Sequence, residues 1–230
     1  MYYLDNGREF EFNNDLVNRV SKGSGGVVYR ISDDKCIKLY YRDTYFRIEK
    51  EIFDLMKELN LNNFCKLGNM VYSNESRSKF IGYTMNYYDT IKDNVLLMSS
   101  DYIIDNFNRL YDSFVKLSNN RVVCNDTRFG NCVIGNDITI IDFDFYSFSD
   151  LTIPNIKEIN ISRLMLLFNK ICYHYYELLY GVVSDDIEYR IDDIFCYCNE
   201  PVKRLSKIFN NKRVIDVINM AGGSVFGHVA

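Results

Sequence analysis

Short alternating runs dominate the first third of the chain. Val17–Val20 and Val27–Ile31 lie on either side of a Gly-rich turn, and Lys35–Tyr41 alternates apolar and polar positions. β-Branched and aromatic residues in such a pattern predict half-buried strands. The period then changes. Ile48, Ile52, Leu55, Met56 and Leu59 recur at helical spacing, which predicts a helix over Asp43–Leu59 with Asp43 as its N-cap. Val71–Tyr72 and Phe80–Met85 return to the strand pattern.

From Asp101 the pattern turns helical. Ile103, Phe107, Leu110, Phe114 and Leu117 predict a helix over Tyr102–Leu117. Two short strands come next, Cys132–Ile134 and Ile138–Ile141, joined by a turn at Gly135-Asn136-Asp137. Glu158–Tyr180 is apolar nearly all round, the signature of a buried central helix. Two more helices are predicted near Asp185–Cys198 and Val202–Asn219. Strands first and helices second indicate an α+β fold of two lobes, residues 1–88 and 89–230, joined near Asn86–Lys92.

Composition narrows the class. Hydrophobic residues make up 47% and charged residues 25% of the 230 positions, an ordinary globular mix. No apolar run reaches the ~18 residues of a membrane span. Met1–Phe10 lacks a basic segment followed by an apolar one, so no secretory signal is expected. A net charge of -4 argues against a nucleic acid held by bulk charge. The seven Cys include no CxxC pair, and Cys196 and Cys198 are too close for a zinc knuckle. They are expected to be mostly buried free thiols in a reducing, cytoplasmic compartment. The chain has 25 Asn and only two Ala, a bias toward AT-rich codons that lowers the weight of any lone Tyr or Asn.

Three segments carry candidate chemistry. Ser21-Lys22-Gly23-Ser24-Gly25-Gly26 lies between two predicted strands, where glycines let backbone N–H groups approach a phosphate; a plain hairpin turn is the alternative. Lys38 stands 12 residues after Gly26 inside an apolar strand, and a charge there needs a partner. Glu51, 13 residues on, is a candidate, with Glu49 as the alternative. Asp126 and Asn131 then sit five apart in Cys124-Asn125-Asp126-Thr127-Arg128-Phe129-Gly130-Asn131, and Asp142 and Asp144 come after the predicted hairpin. Turn chemistry accounts for each of these singly, but not for their order and spacing. Such oxygen-bearing side chains are suited to hold a hydroxyl and Mg²⁺.

Taken in order, the set resembles the protein-kinase fold: a Gly-rich loop, a strand lysine, a helix glutamate, a catalytic loop and a metal loop. The resemblance covers roughly residues 17–148 and implies ATP and Mg²⁺ as cofactors. It implies that Ser21, Gly23, Ser24 and Gly26 cover the phosphates and that Lys38, oriented by Glu51, contacts them. It makes Met85 the gatekeeper, puts the backbone of Asn86 and Tyr88 on the adenine edge, and places adenine between Val28 and Cys36 above and Val133 below. Asp126 would orient the attacking hydroxyl, Arg128 would steady the γ-phosphate, and Asn131 and Asp142 would hold the metal. Asp144 would add a metal contact or cap the next turn.

The departures shape the expected function. Cys124 stands where that fold often has His, Asp144 replaces the glycine of the metal loop, and no Ala-Pro-Glu is found after it. Asn125-Asp126 with Asp142-Phe143-Asp144 is also similar to choline kinases and aminoglycoside phosphotransferases. The chain length is more like the minimal effector kinases that some pathogens deliver to host cells. The reading is a minimal Ser/Thr protein kinase acting on a protein substrate. The alternatives are a small-molecule kinase and a catalytically silent interaction module.

Overall fold

The computed structural model describes residues 1–11, 19–44, 47–89 and 100–180. The predicted helices near 185–198 and 202–219, His228 and the basic cluster Lys203, Arg204, Lys207, Lys212 and Arg213 lie outside them, as do Val17 and part of the expected join at 86–92. The architecture is α+β, with one large antiparallel sheet and three helices among the described residues. None of those helices is long and apolar enough to cross a membrane.

The sheet has seven strands: β1 (Tyr2–Leu4), β2 (Glu9–Phe10), β3 (Arg19–Lys22), β4 (Gly26–Arg30), β5 (Lys35–Tyr40), β6 (Leu67–Tyr72) and β7 (Phe80–Asn86), in the order β2-β1-β6-β7-β5-β4-β3. The predicted strands are present, with β3 running on through Ser21 and Lys22, so the Gly-rich turn shortens to Gly23-Ser24-Gly25. β1 and β2 were not legible in a polar N-terminus. They form because β1 completes the edge of β6, with Tyr3 opposite Tyr72, and the Tyr2 and Phe10 rings pack at 5.5 Å.

β5 carries Lys38 and lies between β4 and β7. Glycines sit against it on both sides. A Cβ at Gly26 would fall 2.3 Å from the Leu39 carbonyl oxygen, and one at Gly82 would fall 2.0 Å from that of Lys38. These are backbone atoms that cannot swing aside, so at these two positions β5 leaves no room for a side chain.

Helix α1 (Lys50–Leu59) begins seven residues after the predicted Asp43. Asp43 lies in the 41–44 turn instead. The Arg47 guanidinium, just before the helix, donates to the carbonyls of Phe80, Tyr41 and Arg42 at 3.0–3.3 Å. The helix buries Ile52, Phe53 and Met56 and ends at Asn60, whose positive φ of 43° is the left-handed stop that Asn tolerates.

Helix α2 (Ser100–Asn119) buries Phe107, Leu110, Phe114 and Leu117 along one face, as the spacing predicts. After it come β8 (Val122–Val123), β9 (Cys132–Ile134), β10 (Ile138–Ile140) and β11 (Ser147–Phe148). β9 pairs with β10 and β11 with β8. Helix α3 (Ile153–Tyr180) starts five residues earlier than predicted, with Pro154 in its first turn, where the missing N–H is not needed. It is not buried all round: Ile156, Ile161, Leu164 and Phe168 face the core, while Glu158, Ser162 and Leu166 are exposed. His174 falls on its last turns, where only the backbone is described.

The two parts are joined through the segment after α1. Cys65 N–H donates to Ile140 O at 2.8 Å and Ile140 N–H donates to Asn63 O at 2.9 Å. The Phe64 ring stacks on Phe143 at 5.8 Å and meets Phe114 at 5.6 Å. Asn63 and the buried Asn106 add a polar clasp: both the Asn63 amide and Ile138 N–H donate to Asn106 Oδ1.

Gly82→Ala is expected to destabilise the protein by about 1–3 kcal/mol through overpacking against β5. Gly23→Ala, where a Cβ meets no protein atom within 4 Å, should leave the unfolding midpoint nearly unchanged. Urea unfolding of the two variants beside the unsubstituted protein checks this, and an unshifted Gly82→Ala midpoint would show that β5 is not so confined.

Candidate active site

A cleft of about 610 Å³ opens between the β3–β4 hairpin and the segments around Asp126 and Asp142, within the usual range of small-molecule sites. Ser21, Gly23, Ser24, Gly26, Val28, Lys38, Met85, Asp126, Arg128, Asn131 and Asp142 all line it. Segments more than a hundred residues apart in the chain thus meet at one surface.

The hairpin is tight. Gly23 N–H donates to Gly26 O at 3.0 Å, and Tyr41 N–H reaches across from the end of β5 to Gly25 O at 3.1 Å. The space over Gly23 is open.

Lys38 is 6% exposed. Its Nζ lies 2.8 Å from Asp142 Oδ1 and 2.7 Å from Asp144 Oδ2. Burial alone would lower its pKa, but Asp144 and Asp142 outweigh that and raise it, so the ammonium stays charged. Asp144 is closed off from water: burial pushes its carboxyl up, and Lys38 opposes the rise. Its Oδ1 accepts a hydrogen bond from Tyr40 Oη at 2.7 Å, and Tyr40 Oη in turn accepts from Ile48 N–H at 3.1 Å.

This corrects two expectations. Glu51 does not partner Lys38; it is exposed on the first turn of α1, and the Asp142 and Asp144 carboxylates hold the lysine. Glu49, the alternative, is likewise exposed at the N-cap. Asp144 does not cap the next turn either. The capping runs the other way, with Asp144 N–H donating to Asp142 Oδ1 at 3.3 Å. A lone buried lysine is compatible with any nearby carboxylate, so the sequence could not choose among them.

Asp126 stands at φ 61°, in the left-handed region that Asp tolerates better than most side chains. Both its oxygens are held. Oδ2 accepts from Asn131 Nδ2 at 2.8 Å, and Oδ1 meets Arg128 Nε at 3.1 Å. Arg128 is largely exposed at the mouth of the cleft.

The loop is anchored from below by a residue that no motif marked. Asn160 on α3 is fully buried, accepts from Cys124 N–H at 2.8 Å, and donates to Ser118 Oγ and Val122 O at 2.9 Å each. Cys124, expected beside the chemistry, is buried and its thiol is pushed up by desolvation. Burial likewise pushes Cys36 and Cys132 up to about 12. These thiols are inert at neutral pH.

Cys36, Asn86, Tyr88 and Val133 do not line the cleft. Asn86 N–H is spent on Lys66 O at 2.9 Å. The Cys36 and Cys65 thiols both contact Asn86 O, at 3.5 and 3.6 Å. The Tyr88 hydroxyl accepts from Lys66 N–H at 3.3 Å. Val133 is buried in the β9–β10 hairpin, and Ile141 lines the cleft in its place. Tyr41, Asp43 and Thr44 also line it, although no sequence signal pointed to them.

Among the described residues no three His, Cys, Asp or Glu side chains gather as a metal cluster. Mg²⁺ needs less, since one or two carboxylates with phosphate and water complete its shell. Asp142 Oδ2 and Asn131 Oδ1 fit that need. Both belong to cleft-lining side chains, both are hard oxygen donors, and the other polar atoms of these side chains are the ones engaged with Lys38 and Asp126.

No protein-family model matches the chain, and no curated protein sequence matches it.

Asn160→Ala leaves the Cys124 N–H unsatisfied in the core and is expected to cost about 2–3 kcal/mol. Thermal unfolding measures this, and a loss below about 0.5 kcal/mol would show that the anchor is dispensable.

Proposed function

We propose that the chain is an ATP- and Mg²⁺-dependent phosphotransferase of bilobal, kinase-like fold. In this proposal it transfers the γ-phosphate to a protein hydroxyl. One observation carries the reading: the Gly-rich hairpin, a buried lysine, Asp126 with Asn131, and Asp142 line a single cleft in the order expected for phosphoryl transfer.

In this reading the Gly23–Gly25 turn lies over the phosphates, with the open space above Gly23 admitting them. Lys38, still held by Asp144, turns its ammonium from Asp142 toward the α- and β-phosphates. Asp142 and Asn131 would hold Mg²⁺, which when bound offsets the charge of the phosphate oxygens. Asp126, fixed by Asn131 and Arg128, orients the acceptor hydroxyl and takes its proton. Arg128, at the mouth of the cleft, offers an exposed cation to charge developing on the transferred group. The base packs against Val28, Met85 and Ile141 at the inner end of the cleft.

The choice of a protein acceptor rests on the short connection between Asp144 and α3. Only eight residues separate the two, and β11 within them is paired to β8. Among the described residues so short a connection supplies no long segment to cover the cleft, and an open site suits a polypeptide hydroxyl better than an enclosed small cation.

Lys38→Ala and Asp142→Ala should each lower phosphoryl transfer roughly a thousandfold or more. The assay uses γ-labelled ATP with a cell lysate, scoring labelled protein and labelled small molecules separately. Full activity in folded Asp142→Ala would sink the assignment, and label confined to small molecules would move it to a small-molecule kinase. Activity should also be independent of prior phosphorylation. Asn125 occupies the place of a phosphate-capturing arginine, and it donates instead to Ser147 Oγ at 3.1 Å. Phosphatase treatment should leave the rate unchanged; a large loss restored by rephosphorylation would contradict this.

A further inference from the structure

The Lys38 site has two carboxylates but only one of them can stay with the lysine throughout the proposed reaction. Asp142 is 30% exposed toward the cleft, and it is the carboxylate placed to hold a metal ion. Asp144 is 4% exposed, and both its oxygens are taken by protein donors, Tyr40 Oη and Lys38 Nζ. Each of its oxygens is thus engaged by a protein donor inside the core.

Tyr40 is itself tightly placed. Its ring packs against Phe80 at 5.6 Å and Tyr83 at 6.1 Å, with the Arg47 guanidinium 5.6 Å from its centre. Its hydroxyl receives Ile48 N–H, two residues before α1 begins. A continuous chain of hydrogen bonds therefore runs from the entry of α1 through Tyr40 and Asp144 to the Lys38 ammonium.

We propose that Tyr40 and Asp144 are the positioning pair for Lys38. They link its direction to the start of α1, the task that the kinase resemblance implied for Glu51. The inference rests on the phosphotransferase reading. Lys38 touches phosphate, Asp144 holds Lys38, and Tyr40 holds Asp144. Because Tyr40 is two residues from Lys38 on the same strand, both side chains leave the same face of the sheet. One carboxylate can then bridge them. Glu51, on a helix that starts late, is left in solvent.

The test compares Tyr40→Phe, Asp144→Asn, the double variant and Glu51→Gln with the unsubstituted protein. Each is measured for kcat and KM with ATP, and for equilibrium binding of Mg·ATP and of adenosine, which lacks the phosphates. Tyr40→Phe removes both the hydrogen bond to Asp144 and the acceptor of Ile48 N–H, and should lower kcat about tenfold at unchanged adenosine affinity. Asp144→Asn should lower it further. The double variant should be no worse than Asp144→Asn alone, since the tyrosine acts through the carboxylate. Glu51→Gln should cost less than Tyr40→Phe. A wild-type kcat in Tyr40→Phe, additive losses in the double variant, or a larger loss in Glu51→Gln would overturn the pair. Tyr40→Phe keeps every charge and nearly all packing, so it remains informative should Asp144→Asn fail to fold. Failure of the unsubstituted protein to bind Mg·ATP would instead overturn the phosphotransferase reading, and the pair with it.

Discussion

The arrangement depends on keeping an ammonium ion charged in a place that water barely reaches. Lys38 is buried on β5, and removing a lysine from water without a partner costs several kcal/mol. Asp142 and Asp144 meet that cost, and they come from a segment about a hundred residues further along the chain. The ion triad therefore does more than fill a site. It requires the sheet and the segment after β10 to stay in register, because separating them would strand a buried charge.

The surrounding packing holds this geometry. Gly26 and Gly82 let β4 and β7 close on β5, so the strand that carries Lys38 has little room to shift. Phe143, between the two aspartates, is fully buried against Phe64 and Tyr146. With Phe143 locked inward, Asp142 and Asp144 must turn toward the lysine side. Tyr146 joins this stack to the loop through Thr127, whose hydroxyl donates to Cys124 O at 3.0 Å. Below the loop, Asn160 ties its first residue to α3.

The two halves of the cleft differ in burial. The floor is built on fully buried aromatic and amide groups. The roof is a hairpin with an exposed β3 and a three-residue turn whose Gly23 meets open space.

Local pattern was enough to determine much of this chain. Alternation located β4, β5 and β7, and helical spacing found the buried faces of α1 and α2. The Gly-rich turn with Lys38, and Asp126 and Asn131 with Asp142, were each legible because within each group the residues lie on adjoining loops and strands whose spacing is short. Other features depended on partners distant in the chain. β1 and β2 exist because β6 offers an edge. α1 starts at Lys50 because Arg47 is pinned to carbonyls of β7 and the 41–44 turn. α3 has a solvent face that its apolar composition concealed. Above all, tertiary structure chose the partner of Lys38. Glu49, Glu51, Asp142 and Asp144 are equivalent carboxylates in a sequence, and an ion pair forms with whichever one the fold brings within about 3 Å in the least water.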